Sequence, residues 1–309
     1  MNKEKYKLNP NWVTGFTDAE GCFYVGLTKN NNCKTGWRVR ARFQIKLHIK
    51  DMDLLLQIKN FFNNIGYIYK NNNNIIYQII STNDITNTII PHFDKYPLLT
   101  QKKSDFLNFK NIVELMNKGE HLNKSGLTKI INLKASLNNG LSKNLINCFP
   151  NIIKMERAKV NIPDNINYYW IAGFFSGEGS FFIDINKSIK HKNGYSIQLR
   201  ISISQHIRDE VLITKLSEFL KCGFVTKHSD KAIVLIISKF NKIYYNMIPM
   251  FNKYSIKGIK SLDYKDFCKI AEIIKNKYHL TLEGLEKIRK IKSNMNSNRK
   301  NVKKNIYSE

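Results

Sequence analysis

Two short stretches of the chain each place a glutamate between two small residues. The first stretch reads GFTDAEGCF and carries Glu20, and the second reads GFFSGEGSF and carries Glu178. Asp18 of the first stretch becomes Ser176 in the second, so only the glutamates are retained as acids. Carboxylates suit Mg²⁺, and a bound divalent ion can activate water and stabilise the leaving oxygen of a phosphodiester. One such glutamate would indicate an ordinary surface acid near a helix end, whereas the repetition favours a metal site.

The residues before each glutamate predict a short helix with one face of small side chains. Small residues stand four positions apart in both stretches, at Gly15 and Ala19 and at Gly173 and Gly177. Residues four apart lie on one side of a helix, where the lack of bulk lets another backbone approach closely. If these two helices pack together at the centre of the molecule, the glutamates emerge together, and their repulsion requires cations between them.

The interval between the two glutamates recurs along the whole chain. Glu178 lies 158 positions after Glu20, and the same interval relates many other identical residues, among them Trp12 and Trp170, Tyr96 and Tyr254, Lys102 and Lys260, Asp105 and Asp263, and His121 and His279. Such self-similarity indicates two divergent copies of one domain. We expect the first copy over residues 1–145, a linker over 146–167, and the second copy with a basic C-terminal tail over 168–309.

Each copy predicts an α+β domain in the order helix, two strands, helix, two strands and further helices. Apolar residues at helical spacing predict a helix over residues 52–66, which ends at a glycine. Alternating apolar residues predict strands over 22–27 and 37–50. The longest apolar runs are strand-sized and far below the roughly 20 residues of a membrane span, so we expect no membrane partner.

The strand over residues 37–50 carries the clearest binding signal. Its sequence, WRVRARFQIKLHIK, alternates completely, with polar residues at Arg38, Arg40, Arg42, Gln44, Lys46, His48 and Lys50. One face belongs to a core, and the other is a row of cations and amides without an acid. The whole chain has 50 Lys and Arg against 24 Asp and Glu, a net charge of +26. An ordinary solvated strand would mix both signs, so we expect this face to bind a polyanion, with nucleic acid the favoured partner.

The corresponding strand of the second copy is less basic. It reads YSIQLRISISQ and turns hydrogen-bonding side chains to one face, at Ser196, Gln198, Arg200, Ser202 and Ser204. Arginine and glutamine are the side chains that pair with guanine and adenine in a major groove. We therefore expect Arg40 and Gln44 to read bases, Lys29 and Lys34 of the first hairpin to contact phosphates, and the two half-sites to differ.

The five cysteines are odd in number and lack the spacing of a zinc site or a disulfide framework, so we expect them to be reduced. The N-terminal residues are polar and do not predict a secretory signal.

With both motifs and the repeat in view, the chain resembles the LAGLIDADG homing endonucleases, in the monomeric two-repeat form of fungal mitochondrial introns. VTGFTDAEGCF and IAGFFSGEGSF are similar to the two signature motifs of that family, and the similarity covers nearly the whole chain. The resemblance implies two pseudo-symmetric αββαββα repeats whose antiparallel sheets form a saddle on duplex DNA. It also implies Mg²⁺, Mn²⁺ or Ca²⁺ in the site, cleavage of both strands with 3′ overhangs, a long asymmetric target and a mitochondrial location.

The resemblance also implies roles for particular residues. Glu20 and Glu178 match the metal-binding acids, with the backbone carbonyls of Ala19 and Gly177 as further metal ligands. Gln198 matches a residue that orients water, and Lys227 resembles a lysine that supports the transition state. The same sequence also allows His228 or Lys231 in that role, and Lys70 is the counterpart of Lys227 in the first repeat. His121 and His279 lack ligand spacing and are expected to be structural.

Two rival functions remain open from the sequence. One is an RNA-binding maturase that assists splicing of its own intron, with or without nuclease activity. The other is a DNA-binding protein whose nuclease activity has been lost. Retention of both glutamates favours the nuclease, because binding alone needs no pair of metal ligands.

Overall fold

The computed structural model describes residues 7–191 and 193–299. The chain divides into two compact units, the first ending at Pro163 and the second beginning at Asp164. The division falls within the stretch predicted as a linker. Within the described residues, no helix is long and apolar enough to cross a membrane.

The described residues of unit 1 form one antiparallel sheet and seven α-helices, with short 3₁₀ and π-helical turns. Its strands are β1 (Gly21–Lys29), β2 (Trp37–His48), β3 (Tyr67–Asn71) and β4 (Asn74–Ile79), in the order β1-β2-β4-β3. Its helices are α1 (Pro10–Glu20), α2 (Met52–Phe61), α3 (Thr82–Asp84), α4 (Ile90–Lys95), α5 (Lys102–Asn117), α6 (Lys124–Ala135) and α7 (Lys143–Cys148). The start of α1 is set by Asn9, whose side chain accepts from the Asn11 N–H, and by Pro10 in the first turn.

Unit 2 repeats this order of elements. Its strands are β5 (Gly179–Lys187), β6 (Tyr195–His206), β7 (Phe224–Ser229) and β8 (Ala232–Ile237), in the order β5-β6-β8-β7. Its helices are α8 (Tyr168–Glu178), α9 (Glu210–Leu220), α10 (Phe240–Lys242), α11 (Ile248–Lys253), α12 (Lys260–Lys275) and α13 (Leu282–Lys292). The predicted α+β fold of two αββαββα repeats is confirmed.

A helical segment between the fourth strand and the long helix of each unit was absent from the sequence prediction. In unit 1, α3 and α4 are joined by a π-helical turn over Ile85–Ile89, and in unit 2, α10 and α11 are joined by one over Ile243–Met247. A proline, Pro91 or Pro249, stands in the first turn of α4 and α11. Proline within an apolar run usually marks a helix end in a sequence, but it is tolerated in the first turn of a helix.

The strand predicted over residues 37–50 ends two residues earlier. Residues Ile49–Asp51 form a 3₁₀ turn, and Nδ1 of His48 accepts from the Lys50 N–H at 3.2 Å. The second unit repeats the arrangement with His206 and Arg208.

The stretch predicted as a linker is partly built into unit 1. It overlaps α7, and further on the Arg157 guanidinium lies 2.9 Å from Asp105 and donates to the Ser136 carbonyl at 2.8 Å. Asp105 is almost fully buried, so this ion pair fixes the stretch to the core. In unit 2, Arg299 binds Asp263 in the same way at 2.7 Å. The expected basic tail lies outside the described residues from residue 300 onward.

Aromatic side chains fill the core between each sheet and its helices. Phe23 of β1 is fully buried, with ring centroids of Phe43, Phe93, Phe106 and Phe109 between 5.2 and 5.4 Å away. Phe181 occupies the equivalent place in unit 2, 5.4 Å from the rings of both Tyr264 and Phe267. Because one face of each sheet packs on this core, the other face, called the polar face below, carries the remaining strand side chains.

A buried histidine predicts how the stability of unit 1 changes with pH. The Thr14 hydroxyl donates to the Tyr96 carbonyl and so accepts from Nε2 of a neutral His92 at 3.2 Å. Burial lowers the pKa of His92 to about 4, below that of the unfolded chain. The stability that depends on neutral His92 is therefore complete above about pH 6.5 and is lost as the pH falls towards 4, by on the order of 3 kcal/mol.

Denaturant unfolding at pH 7 and at pH 4.5 measures this loss, with His92→Gln as the comparison. We expect the variant to be less stable than the parent chain at pH 7 and to lose less stability on acidification. Equal losses in the two proteins would contradict the assignment.

Candidate active site and nucleic-acid interface

Each retained glutamate is the last residue of a helix that continues directly into a strand. Glu20 ends α1 and Gly21 begins β1, with the Gly21 N–H bonded to the Thr17 carbonyl. A Cβ on Gly21 would stand 2.4 Å from the Thr17 side chain and 2.8 Å from its carbonyl oxygen. Glycine is therefore required at this junction, and Glu20 is held at the start of the sheet.

The junction in unit 2 has the same construction. Glu178 ends α8, Gly179 begins β5, and the Gly179 N–H bonds to the Phe175 carbonyl. A Cβ on Gly179 would lie 2.5 Å from that carbonyl oxygen. Both glutamates are partly exposed, so their carboxylates can meet a ligand from solvent.

A lysine reaches the carbonyl end of each motif helix, and the sequence analysis gave neither a role. Nζ of Lys102, the first residue of α5, donates to the carbonyls of Thr17 at 2.9 Å and Ala19 at 3.2 Å. Nζ of Lys260, the first residue of α12, donates to the carbonyl of Gly177. Their spacing in the sequence could have identified them, because Lys102 and Lys260 are 158 positions apart, as the two glutamates are.

The exchange of Asp18 for Ser176 is explained by how each unit holds the segment before its lysine. Buried Asp18 accepts from the Leu99 N–H at 2.8 Å and from the backbone and hydroxyl of Thr100. Ser176 accepts from the Lys257 N–H at 3.0 Å and donates to the Ala172 carbonyl within its own helix. Both side chains fasten the segment that carries the lysine, Asp18 through both of its carboxylate oxygens and Ser176 through its hydroxyl.

The ends of α1 and α8 suit a cation. Carbonyl oxygens there carry the negative end of the helix dipole, and each already accepts from an ammonium group. The expected ligands Glu20 with the Ala19 carbonyl, and Glu178 with the Gly177 carbonyl, are hard oxygen donors of the kind that Mg²⁺ and Ca²⁺ take. Within residues 7–191 and 193–299, no group of three or more His, Cys, Asp or Glu side chains is placed to hold a metal.

The polar face of unit 1 carries the cationic row predicted from the sequence. Val39, Ala41, Phe43, Ile45 and Leu47 are buried on the core side, so their neighbours along β2 point to the polar face. These are Arg38, Arg40, Arg42, Gln44, Lys46 and His48. In the described strands of unit 1 this face bears no acid, and it also carries Tyr24, Tyr67, Tyr69 and Gln78.

Strand register shows which of these residues lie near Glu20. Gly21 pairs with Ile45 and Cys22 pairs with Gln44. Gln44 therefore lies within two residues of the acid, which was not anticipated when Gln44 was assigned to base reading alone. Lys29 ends β1, and Lys34 is exposed in the turn that follows, as expected for the hairpin.

The register of unit 2 does not bring Gln198 to the acid, contrary to the role taken from the family. Gln198 is exposed on the polar face and pairs with Asp184, whereas Gly179 pairs with Ile203. The step of five residues along β5 from Gly179 to Asp184 spans roughly 16 Å, at about 3.3 Å per residue. Ser202 and Ser204 are the polar-face residues of β6 nearest to Glu178, and Ser202 is buried rather than available as predicted.

Lys227 lies on the wrong side of its sheet for the catalytic role expected of it. It pairs with Ile233, which is buried on the core side, so both side chains project to that side. There Lys227 lines an open cleft with Glu210 and Thr214 of α9. A bulge between Lys227 and Ser229 leaves His228 outside the regular pairing, and Lys231 is in the turn before β8. Lys70 pairs with Ile75 and likewise faces the core side.

His121 and His279 lie in short 3₁₀ turns, Glu120–Leu122 and Tyr278–Leu280, as their expected structural role requires. The glycine that follows each turn is tightly enclosed. A Cβ on Gly126 would lie 2.1 Å from the Glu120 carbonyl oxygen, and one on Gly284 would lie 1.9 Å from that of Tyr278. The repeated Gly-Leu pairs are thus explained by packing, because each glycine lies against the preceding turn and Leu127 and Leu285 are buried.

Comparison with known proteins finds the same two repeats. The family model described as LAGLIDADG endonuclease matches residues 13–113 and again residues 171–271. "Probable intron-encoded endonuclease 2" of Neurospora crassa is 43% identical over 301 residues, covering 93% of this chain. "Probable intron-encoded endonuclease 3" of the same fungus is 41% identical and covers 91%. The chain spans 65% and 53% of the lengths of these two relatives.

Solved structures agree over nearly the whole chain. The homing endonuclease I-SmaMI, in complexes with an uncleaved DNA target and calcium ions and with cleaved DNA, is 44% identical with a TM-score of 0.92. The matches cover 94% and 95% of this chain, and 99% and 98% of I-SmaMI. The homing endonuclease I-GzeII, in complex with its DNA target, is 44% identical with a TM-score of 0.89, over 95% of this chain and all of that protein.

Proposed function

We propose that this chain, which belongs to the LAGLIDADG endonuclease family, cuts both strands of a specific duplex DNA. The observation that carries the proposal is the repeated junction, in which a glutamate and a lysine meet at the start of a sheet with a polar face. Nothing in a purely binding protein calls for an acid kept twice beside a strongly cationic surface. The DNA complexes of I-SmaMI and I-GzeII support the same substrate class.

The polar faces bind the DNA. In unit 1, Arg38, Arg40, Arg42 and Lys46 supply positive charge, and the arginines together with Gln44 present the donors that pair with base edges. In unit 2, Ser196, Gln198 and Arg200 form a less basic face that includes Asp184. Because the two faces differ, the preferred target has two unlike halves, and one copy of the chain occupies it.

The junctions perform the hydrolysis. A divalent cation, which we assign as Mg²⁺, supplies activation of water and stabilisation of the leaving oxygen when it is bound. Such a cation would be held in unit 1 by Glu20 with the adjacent Ala19 carbonyl, and in unit 2 by Glu178 with the adjacent Gly177 carbonyl. Lys102 and Lys260 add positive charge next to each acid and stabilise the negative charge that develops on the phosphate. Gln44 is positioned to orient water or phosphate near Glu20.

The relatives also bear on location and on RNA. The Neurospora relatives are intron-encoded, and "Uncharacterized mitochondrial protein RF1" of Saccharomyces cerevisiae is 26% identical over 96% of this chain, which supports a mitochondrial origin for this chain. Intron RNA would also be attracted to a cationic face, but no contact described above distinguishes RNA from DNA. The repeated glutamates favour the nuclease, because RNA binding alone needs no pair of metal ligands.

In vitro selection tests the proposal directly. The purified chain is incubated with a randomised duplex library and Mg²⁺, and the bound and cleaved pools are sequenced, with EDTA as the control. We expect one asymmetric sequence of about two helical turns, roughly 20 base pairs, cut on both strands with 3′ overhangs. Sedimentation of the complex should give one protein per duplex. Enrichment of no DNA sequence, or cleavage that survives EDTA, would contradict the proposal.

A further inference from the structure

An arginine and an aromatic ring are stacked at the same place on both polar faces. In unit 1, Tyr24 of β1 pairs across the sheet with Arg42 of β2, and the guanidinium carbon lies 4.5 Å from the ring centroid. In unit 2, Phe182 of β5 pairs with Arg200 of β6 at 5.0 Å. Both arginines occupy the middle of the sheet, well away from the core.

The residue two positions after each ring differs between the units. Gly26 follows Tyr24, and a Cβ at Gly26 would stand 3.1 Å from the Tyr24 ring. Glycine thus gives Tyr24 the space to lie along the strand. In unit 2 the equivalent position is Asp184, which lies beside the arginine instead.

This difference changes the charge beside each arginine. Nε of both Arg42 and Arg200 is buried, and within the described chain neither atom has a hydrogen-bond partner. The carboxylate of Asp184 approaches the Arg200 guanidinium, with its Oδ2 3.4 Å from Nε and its Oδ1 3.5 Å from Nη2. Both arginines are therefore stacked on a ring, and Arg200 is in addition partly neutralised by a carboxylate.

Stacking of this kind suits base recognition. A ring over one side of a guanidinium fixes its plane while leaving its N–H edge open. The arginine side chain therefore loses less conformational freedom when that edge binds a base. Guanine offers two acceptors in the major groove that match an arginine edge. Tyr67 and Gln78 line the same shallow hollow as Tyr24 and Arg42, which encloses the reading position from the neighbouring strands.

We propose that Tyr24 and Phe182 are positioning residues for two symmetry-related base-reading arginines, and that Asp184 weakens the guanine preference of Arg200. Arg42 then selects guanine strongly in one half of the target, and Arg200 selects it weakly at the matching position of the other half. An Arg–aromatic stack can also serve only to cover a sheet surface. The exchange of Gly26 for Asp184, which puts a carboxylate beside one of the two arginines, favours recognition. The inference rests on the proposed DNA-binding function.

The test repeats the library selection with three variants and scores base preference at each position. Tyr24→Leu should lower the guanine preference at the base pair that Arg42 contacts by about fivefold, whereas Tyr24→Phe, which keeps the ring, should retain that preference. Asp184→Asn should raise the guanine preference at the matching position of the other half by about three- to fivefold, because the competing carboxylate charge is gone. The expected effect of Asp184→Asn is an increase in guanine preference, which damage to the fold would not produce.

The outcomes separate the inference from the function on which it rests. If the parent chain selects no DNA, the proposed function fails. If the parent selects a target and Tyr24→Leu weakens binding to all sequences equally, the ring only supports the sheet and the inference is wrong. An unchanged base profile for Asp184→Asn likewise overturns the role given to that carboxylate.

Discussion

Glu20→Gln and Glu178→Gln are each expected to reduce DNA cleavage by at least about a thousandfold while leaving DNA binding nearly unchanged. Each substitution keeps the size of the side chain but removes the negative charge that holds a divalent cation at the end of its helix. The carboxylates are not part of the cationic face, so affinity for the target is preserved. Replacing the glutamate of one unit is enough to reduce cleavage, because each unit contributes one retained glutamate.

Single-turnover cleavage of the selected duplex in Mg²⁺ measures the effect, and fluorescence anisotropy measures binding. Glu114→Gln, at an exposed position of α5, is the control and should cut like the parent chain. Cleavage at the parent rate by either junction variant would remove the metal-ligand assignment. A fall in binding that equals the fall in cleavage would show that the acids act on docking instead.

Lys102→Met and Lys260→Met should each slow cleavage by about a hundredfold or more. Methionine retains most of the aliphatic stem but removes the ammonium group that lies against the Ala19 or Gly177 carbonyl. Removing one preorganised group that stabilises transition-state charge typically costs this much. The stability cost should be small, because a cation at a helix C-terminus contributes roughly 0.3 to 1 kcal/mol.

Lys103→Met is the matched control, since it removes the same charge from the adjacent position of α5. Cleavage rate, target affinity and thermal unfolding are measured for all three proteins. A rate loss without loss of affinity or stability assigns Lys102 to the reaction. If Lys103→Met slows cleavage equally, only the general positive charge of this region matters.

Hydropathy was sufficient to predict the strands that are buried on one side. The alternation along β2 placed every core residue from Val39 to Leu47 correctly, because a strand with one apolar face has a single possible orientation. The repeat interval predicted the second unit with equal reliability. The π-helical segments were missed because a proline within an apolar run resembles a helix end.

The face of β7 could not be read from its sequence. FVTKHS is exposed over nearly its whole length, so neither face carries an apolar pattern, and a bulge shifts the pairing besides. The role of Lys227 was taken from the family resemblance, and no pattern in the strand could show that its side chain projects to the core side. The role of Gln198 was also taken from the resemblance, and the sequence could not show how far along β6 this residue lies from the strand end next to Glu178.

The contacts of Lys102 were hidden for a different reason. Its partners lie 83 and 85 positions earlier in the chain, and only the fold brings these segments together. Asp18 was noted solely for its exchange with Ser176, because a side chain that fastens a distant backbone has no local pattern. In each case the repeated interval was the available clue.

The direct passage from helix to strand at Gly21 and Gly179 has a consequence for fidelity. No residues between the helix and the strand can flex as a hinge. Each glutamate therefore moves together with the strand that follows it, β1 or β5. A poorly matched DNA that shifts the strand by even about 1 Å also carries the acid out of alignment with the phosphate. The protein then distinguishes its target from other DNA sequences in the cleavage step as well as in the binding step. A variant in which β-strands are exchanged to change the DNA target must therefore keep the helix–strand junction unchanged.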